Sequence, residues 1–455
     1  MSRSSVWGKS GLVGLTGLAL IAAAARAGQV ELSFAPQVAV PLGPPGCVSN
    51  CSADALAVVA GDFNGDGKMD LATANNGSND VTILLGNGAG GFNVSATLQA
   101  GEAPSSIAAG RLNDDDILDL VVSNEIDNDV SVFIGNGDGT FAAGVAVPMG
   151  ASPATVVLAD FNGDGELDVA TADLFGETVT ARLGSGNGTF GDAKPTDVVG
   201  GPLGLAAGHL DGDQVIDLAV SLNDDATVQA LLGNGDGTFS LGGTADVEES
   251  PQGLAIADLD GDGAQDVAVA TEFFDSVSVA LGNGDGSFQT ATSYTVGGFP
   301  ESVAIADFNR DEILDIASAD SFGTTSFDGS VSVLLGNGDG TFQGARAFGT
   351  DPGPWGIAAA DLNGDGRPDL ATANIDSATV SVLINTSGPP GPACIGDCNG
   401  DGMVVIGELI SAVNIALGSA AASSCPAADT DGSGMVSVNE LVSAVNNALN
   451  GCPAA

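Results

Sequence analysis

Oxygen-bearing side chains with the spacing of calcium ligands recur along the sequence. In DFNGDGKMD, Asp62, Asn64, Asp66 and Asp70 occupy positions 1, 3, 5 and 9, with Gly67 at position 6. Calcium takes about six to eight oxygen ligands around a tight turn, and glycine adopts the backbone conformation that such a turn needs. The carbonyl of position 7 would add a backbone ligand. This pattern predicts a calcium site.

Relatives of this nine-residue loop recur, and we number the acidic loops 1 to 7 by their first residues: Asp62, Arg111, Asp160, His209, Asp258, Asp307 and Asp361. A single loop of this kind is also compatible with an Asx-rich turn, but its repetition favours calcium. The expected ligands, with the carbonyl of position 7 included where it is given, are Asp62, Asn64, Asp66, Lys68 and Asp70 in loop 1; Asp160, Asn162, Asp164, Glu166 and Asp168 in loop 3; Asp258, Asp260, Asp262, Ala264 and Asp266 in loop 5; Asp307, Asn309, Asp311 and Asp315 in loop 6; and Asp361, Asn363, Asp365, Arg367 and Asp369 in loop 7.

The even-numbered loops depart from the pattern. Loops 2 and 4 begin with Arg111 and His209, and neither has glycine at position 6. In loop 2 the guanidinium of Arg111 can replace an ion and neutralise the same carboxylates. Loop 6 has Glu312 at position 6, where a non-glycine residue in the left-handed conformation costs about 1 kcal/mol or more. We expect loop 6 to bind calcium weakly.

Two loops near the C-terminus begin in the same way but end with glutamate at position 12. A bidentate glutamate at that position is typical of an EF-hand, whereas loops 1 to 7 use aspartate at position 9. Each leads into an apolar-periodic segment, ELISAVNIALG or ELVSAVNNALNG, that predicts a helix. The expected calcium ligands are Asp397, Asn399, Asp401, Met403 and Glu408 in the first loop and Asp429, Asp431, Ser433, Met435 and Glu440 in the second.

Short strands must position the acidic loops. The loops follow one another at intervals of 49 residues five times and then of 54. In the third unit ATVVLADF precedes the loop, and LDVATADL, TVTARLG and VAVPMG follow it as further strand candidates. Four strands in roughly 40–50 residues are typical of a propeller blade. We predict a mostly β fold, a seven-bladed β-propeller, with a β-solenoid as the alternative.

The ends of the repeat region fit together. The seventh unit stops at TVSVLINTS without a final strand, while FAPQVAVPLG near the N-terminus resembles the final strand of the second unit, FAAGVAVPMG. We expect the N-terminal strand to close the propeller by completing the seventh blade, which removes an exposed edge. A solenoid gives no reason for such a split unit.

On these loops and their regular step, residues 30–386 resemble FG-GAP/VCBS repeats, the calcium-loop blades of integrin α-type β-propellers. The resemblance implies an extracellular role in adhesion or ligand recognition; a few related propellers are polysaccharide lyases. The two C-terminal loops, over residues 394–452, resemble the dockerin type I fold. That resemblance implies a small calcium-dependent α-helical domain that docks on a cohesin-like partner.

The N-terminus has the features of a secretory signal peptide. Arg3 and Lys9 flank the start of the apolar run GLVGLTGLALIAAAA, and Ala25 and Ala27 form a small-x-small cleavage site. A membrane anchor is the alternative, but the run is short and rich in glycine. The predicted organisation is a signal peptide at 1–27, the propeller at 28–386, a proline- and glycine-rich linker at 387–393 and a dockerin-like paired EF-hand domain at 394–455.

An even number of cysteines in an exported chain favours disulfides. The cysteines are Cys47, Cys51, Cys394, Cys398, Cys425 and Cys452. The first two are isolated from the others and are expected to pair. The C-terminal four leave three connectivities open, and a zinc site is the alternative for them.

The charge of the chain argues against several partners. With 58 acidic and 10 basic residues, it repels nucleic acid and anionic lipid, so we expect neither nucleic-acid binding nor membrane insertion. We also expect no catalysis: the single histidine, His209, lies in an acidic loop, and the cysteines are expected to be paired.

Aromatic residues mark the blade ends expected to lie opposite the acidic loops. Such rings suit contact with sugar or protein, although packing under their own loops is the alternative. They are Phe175, Phe273, Phe274, Phe299, Phe322, Phe327 and Trp355. We predict a secreted calcium-binding recognition or adhesion protein with an extracellular glycan or protein ligand. The alternative is a carbohydrate-active protein, either a lyase-like propeller or an accessory module.

Overall fold

Seven four-stranded antiparallel sheets form the larger of two compact units, residues 33–308 and 312–386, within the part of the chain that the structure describes. The structure, a computed structural model, describes residues 32–42, 53–322, 328–387, 406–417, 428, 436–437 and 441–445. Its strands are β1 (Val38–Pro41); β2 (Ala55–Gly61), β3 (Asp70–Asn75), β4 (Asp80–Gly86) and β5 (Phe92–Gln99); β6 (Pro104–Gly110), β7 (Asp119–Asn124), β8 (Asp129–Phe133) and β9 (Val145–Pro148); β10 (Pro153–Ala159), β11 (Asp168–Asp173), β12 (Thr178–Arg182) and β13 (Lys194–Asp197); β14 (Pro202–Gly208), β15 (Asp217–Leu222), β16 (Thr227–Gly233) and β17 (Phe239–Asp246); β18 (Pro251–Ala257), β19 (Asp266–Thr271), β20 (Ser276–Ala280) and β21 (Thr292–Thr295); β22 (Gly298–Ala306), β23 (Asp315–Phe322), β24 (Ser330–Leu334) and β25 (Arg346–Gly349); and β26 (Pro354–Ala360), β27 (Asp369–Asn374) and β28 (Thr379–Leu383).

The innermost strands of the sheets close a ring. Strands β2, β6, β10, β14, β18, β22 and β26 contact one another in this order, and β26 contacts β2. Seven such sheets around one axis are the blades of a seven-bladed β-propeller, so this predicted fold is confirmed. Strand β1 pairs antiparallel with β28, with Val38 opposite Val382, and is the outer strand of the seventh sheet.

Position in the ring accounts for the composition of the strands. Every residue of β3 is buried, as in the other second strands except for Phe322 at the end of β23, because neighbouring blades cover both faces of the sheet. Ile83 of the first blade thus shares a core cluster with Ile107 of the second. The inner strands are rich in alanine and glycine because they approach closely: a Cβ atom on Gly356 would lie 2.6 Å from the carbonyl oxygen of Leu56.

The smaller unit is described only in part. It contains helix α1 (Ile406–Ala416), whose Ala412 and Ile415 are buried together with Val436, and residues 441–445 are also helical. The side chains of the predicted EF-hand ligands lie outside the described residues, as do the predicted signal peptide, the six cysteines, linker residues 388–393 and Phe327. The dockerin-like domain therefore stays a prediction.

No helix within the described ranges is both long and apolar enough to cross a membrane.

Candidate calcium loops and recognition face

The acidic loops all lie at one end of the propeller. Each connects the first strand of a blade to the second, as residues 62–69 connect β2 to β3. Because the strands are antiparallel, the Gly-rich turn between the third and fourth strands lies at the same end. The turn between the second and third strands lies at the opposite end.

Loop 1 folds around the carboxylate of its first residue. The backbone N–H groups of Gly65 and Gly67 donate to the two carboxylate oxygens of Asp62, each over 2.8 Å. The N–H of Lys68 donates to Asp66 Oδ1 over 3.0 Å. Gly67 has φ of 79°, in the left-handed region that glycine enters without steric cost. The oxygens of positions 1, 3 and 5 thus all accept backbone hydrogen bonds within the loop, that of Asn64 from the N–H of Asp66 over 2.9 Å.

Loops 3, 5 and 7 repeat these contacts. In each, the first aspartate accepts hydrogen bonds from the N–H groups of positions 4 and 6, over 2.7 to 3.0 Å. In loop 5 one carboxylate oxygen from each of Asp258, Asp260 and Asp262 lies within 4.8 Å of the others. Two oxygens bound to one calcium at about 2.3–2.6 Å lie at most about 5 Å apart. The donor set and spacing of loop 5 therefore fit calcium.

Position 9 has a structural role that the sequence pattern did not indicate. In all seven loops this aspartate is fully buried. One of its oxygens accepts a hydrogen bond from the N–H of position 2, and the other accepts one from an N–H at the end of the third strand or just after it. The acceptors and donors are Asp70 with Phe63 and Gly86, Asp119 with Leu112 and Gly135, Asp168 with Phe161 and Gly184, Asp217 with Leu210 and Gly233, Asp266 with Leu259 and Gly282, Asp315 with Phe308 and Gly336, and Asp369 with Leu362 and Asn385. We call these residues the clamp aspartates. The sequence pattern does not single them out, because the altered loops 2 and 4 keep aspartate at position 5 as well as at position 9.

Burial raises the pKa of six clamp aspartates, Asp70, Asp119, Asp168, Asp217, Asp266 and Asp369. For Asp168, Asp266 and Asp369 the pKa rises to about 6, mainly through burial. The carboxylate of position 1 and that of position 5 (position 3 in loop 5) raise it further, and the backbone N–H donors oppose the shift. A bound cation would lower these pKa values, because an opposite charge favours the ionised form. The electrostatics of these loops thus favour a cation.

Lysine and arginine at position 7 contact two of the sites directly. Lys68 Nζ lies 2.9 Å from Asp66 Oδ2 in loop 1, and Arg367 Nη2 lies 2.7 Å from Asp365 Oδ2 in loop 7. The ion pair lowers the pKa of the Asp66 carboxyl. In both loops a calcium ion would compete with a basic side chain for the carboxylate of position 5.

The altered loops differ from one another. Arg111 in loop 2 pairs with Asp116 at position 6, over 3.6 Å on the exposed surface, instead of lying among the ligand positions. In loop 4, His209 Nδ1 lies 2.9 Å from the carbonyl oxygen of Val215, which occupies position 7. Loop 6 keeps the left-handed backbone with non-glycine residues at both sites, φ being 61° at Arg310 and 67° at Glu312. From the sequence we expected the left-handed backbone only at Glu312.

Loop 4 also contains a group that the sequence analysis left out. One carboxylate oxygen from each of Asp211, Asp213 and Asp217 lies within 4.8 Å of the others. The missing aspartate at position 1 had hidden these three ligand positions, which are intact in the sequence.

The predicted recognition face separates into two regions. Phe273, Phe299 and Phe322 form an edge-to-face series with centroid distances of 6.2 and 5.2 Å, where blades 5 and 6 meet. Phe175 and Phe274 are exposed in the turns after β11 and β19, Phe175 with 80% of its surface accessible. Phe299 and Phe322 therefore pack in part against neighbouring rings, while Phe175, Phe273 and Phe274 are largely exposed to solvent.

Trp355 lies in the second region, a cavity on the propeller axis at this same end. The cavity has a volume of about 280 Å³ and is lined by all seven inner strands. Each strand contributes the residue that follows the repeat proline, or Ala55 in the first unit. We call these residues the axial ring: Leu56, Ser105, Ala154, Leu203, Gln252, Glu301 and Trp355.

Comparison with known proteins agrees with the architecture. The sequence model of the FG-GAP-like repeat matches residues 62–122, 111–171, 209–269, 258–318 and 319–372, which together make up more than half of the chain. No curated protein matches the sequence.

Two solved structures are similar in fold. BBS1N, in a crystal of its complex with ARL6DN soaked with lead, has a TM-score of 0.54 and 14% identity, over 77% of this chain and 98% of that one. Virginiamycin B lyase from Staphylococcus aureus has a TM-score of 0.51 and 9% identity, over 78% of this chain and 99% of the lyase. At these identities the similarity concerns the fold alone. The matched repeats, four of which begin at the first residue of an acidic loop, show that the chain belongs to the FG-GAP-like repeat family.

Proposed function

We propose that this chain is a calcium-binding recognition protein whose propeller binds an extracellular glycan or protein. The observation that carries the proposal is the division of the propeller into two unlike ends. One end holds the acidic loops, and the other exposes Phe175, Phe273 and Phe274 to solvent by 80, 64 and 49%. Exposed aromatic groups on a soluble protein are typical of an interaction surface. The lyase of similar fold acts on a substrate and BBS1N has a protein partner, so the fold by itself is compatible with either role.

Calcium would be held by loops 1, 3, 5 and 7, and more weakly by loop 6. Its chemistry there is electrostatic, because each ion neutralises two of the 48 net negative charges of the chain and relieves repulsion among clustered carboxylates. Thermal melts with excess calcium and with excess chelator test this proposal. We expect a higher melting temperature with calcium, since a ligand of the native state stabilises it. Identical melts would refute calcium binding.

Binding at the aromatic end is tested with single substitutions. Glycan arrays and extracellular matrix proteins are screened, and each hit is titrated against the wild-type chain and the Phe274→Ala and Phe175→Ala variants. Leu241→Ala is the matched control, because Leu241 is 61% exposed on the outer strand β17, away from the blade ends. We expect weaker binding only for the phenylalanine variants. Equal affinity of all four proteins would place recognition elsewhere.

The remaining parts of the proposal concern the two ends of the chain. Export with cleavage after Ala27 is tested by the N-terminal mass of the secreted protein. The C-terminal residues would dock or anchor the protein to a cohesin-like partner through a calcium-dependent paired EF-hand domain. Loss of calcium ions from the Glu408→Ala and Glu440→Ala variants would support that domain.

The proposal includes no catalytic step, and new reducing ends or unsaturated uronates from a polysaccharide panel would contradict it.

A further inference from the structure

The axial ring breaks the symmetry of the propeller. Its members come from equivalent positions of seven similar blades, yet they include small, aliphatic, amide, acidic and aromatic side chains. None of the described residues that line this cavity is basic. A cavity of about 280 Å³ lies just below the usual range for small-molecule sites, about 300–1,000 Å³. The cavity therefore suits one small ring or chain end.

Two acids line this cavity, the half-buried Glu125 and the more deeply buried Glu301, and the fold leaves Glu301 incompletely satisfied. Glu301 is only 5% exposed, and its Oε1 accepts one long hydrogen bond, 3.3 Å, from Ser321 Oγ. Among the described residues, no group donates a hydrogen bond to its other oxygen. That second oxygen is not fully enclosed by the protein, so it faces the cavity, and a ligand that fills the cavity has to supply its hydrogen-bond partner in place of water.

The surroundings of Glu301 favour its neutral form. Burial, together with the nearby Glu272 carboxylate, raises its pKa to about 8. Glu272 itself accepts hydrogen bonds from Gln252 Nε2 and Ser250 Oγ, over 2.9 and 3.0 Å. Asp320, on the adjacent strand β23, is held by serine hydroxyls. At neutral pH Glu301 thus offers one O–H donor and one carbonyl acceptor.

We propose that the axial cavity is a saccharide site, in which Glu301 exchanges hydrogen bonds with a sugar hydroxyl and Trp355 packs against the apolar face of the sugar. This inference rests on the proposed recognition function and narrows its ligand to a neutral sugar. A neutral carboxylic acid suits a hydroxyl, which both donates and accepts. Trp355 is 37% exposed beside Glu301, and its own carbonyl accepts a 2.6 Å hydrogen bond from Ser302 Oγ.

The test uses the full chain carrying Trp7→Phe, which leaves Trp355 as its only tryptophan. Glucose, galactose, mannose, rhamnose and cellobiose are titrated while indole fluorescence is followed, at about pH 6 and about pH 9. We expect at least one sugar to bind, with affinity about tenfold lower at the higher pH because most Glu301 is then ionised.

Glu301→Gln keeps one donor and one acceptor, so it should bind as the wild type does and lose the pH dependence. Glu301→Ala should abolish binding while the melting temperature confirms folding, and Glu102→Gln, exposed at the same end, is the matched control. Affinity that rises with pH and disappears in Glu301→Gln would identify a cationic ligand and overturn the proposal. Equal affinity of all variants, or no change in indole fluorescence with any sugar, would also overturn the proposal. A phenylalanine-dependent ligand from the earlier screen would still support recognition in each of these cases.

Discussion

Replacing a clamp aspartate should destabilise the propeller even without calcium. Asp168 is fully buried, and it accepts hydrogen bonds from the N–H groups of Phe161 at 2.8 Å and Gly184 at 2.6 Å. In Asp168→Ala both donors lose their acceptor. Each buried donor without a partner costs about 1–3 kcal/mol, so the free energy of unfolding should fall by about 4 kcal/mol. That is a large part of the roughly 5–15 kcal/mol typical of folded proteins.

The matched control is Asp164→Ala in the same loop. Asp164 is exposed at position 5, and its acceptor contacts are to Glu166 N–H and to the amide of Asn162. In excess chelator its removal should change stability by no more than about 0.5 kcal/mol, as for ordinary surface substitutions. With calcium at about one hundred times its dissociation constant, each occupied site adds about 2.7 kcal/mol to the free energy of unfolding. Either variant would lose this contribution at loop 3.

Urea denaturation followed by circular dichroism measures the free energy of unfolding of both variants, each with chelator and with calcium. Asp168→Ala should be destabilised under both conditions, whereas Asp164→Ala should be destabilised only with calcium. If the two variants have the same stability as wild type in chelator, the clamp is not structural. If both variants lose stability equally in chelator, positions 5 and 9 have the same structural role.

Two further predictions follow from the loop geometry. In chelator, stability should fall as pH rises from about 4 through about 6. The clamp aspartates of loops 3, 5 and 7 have pKa values raised to about 6, so in this pH range the folded state binds more protons than the unfolded chain does. Saturating calcium should remove or reverse this slope, since it binds the ionised form; a flat profile in chelator, from melts across this pH range, would contradict the raised pKa values. The double variant His209→Asp and Gln214→Gly restores the first carboxylate and the glycine of loop 4, whose other carboxylates already converge. Calorimetric titration should find one more calcium ion per chain than in the wild type, and an unchanged stoichiometry would show that further features of loop 4 prevent binding.

The sequence by itself determined the repeat, the strands and the blade number. These follow from patterns within a few residues, such as alternation in strands and the spacing of glycine and aspartate in a loop such as 62–70, which act through local backbone geometry. The split seventh unit was also visible, because Phe34 and the residues after it repeat the ending of the second unit.

Only the tertiary structure decided which side chains meet across blades and along the axis. Asp70 joins the N–H of Phe63 to that of Gly86, 16 residues later, and this bond depends on how β3 and β4 pair. The axial ring brings together residues about one repeat apart in sequence, and no local pattern distinguishes Glu301 from an exposed glutamate. Its pKa is raised first by burial and then by the Glu272 carboxylate of another element, while the hydrogen bond from Ser321 opposes the rise. The physical reason is that desolvation and hydrogen bonding depend on the atoms around a group, and in a propeller those atoms come from neighbouring strands and blades.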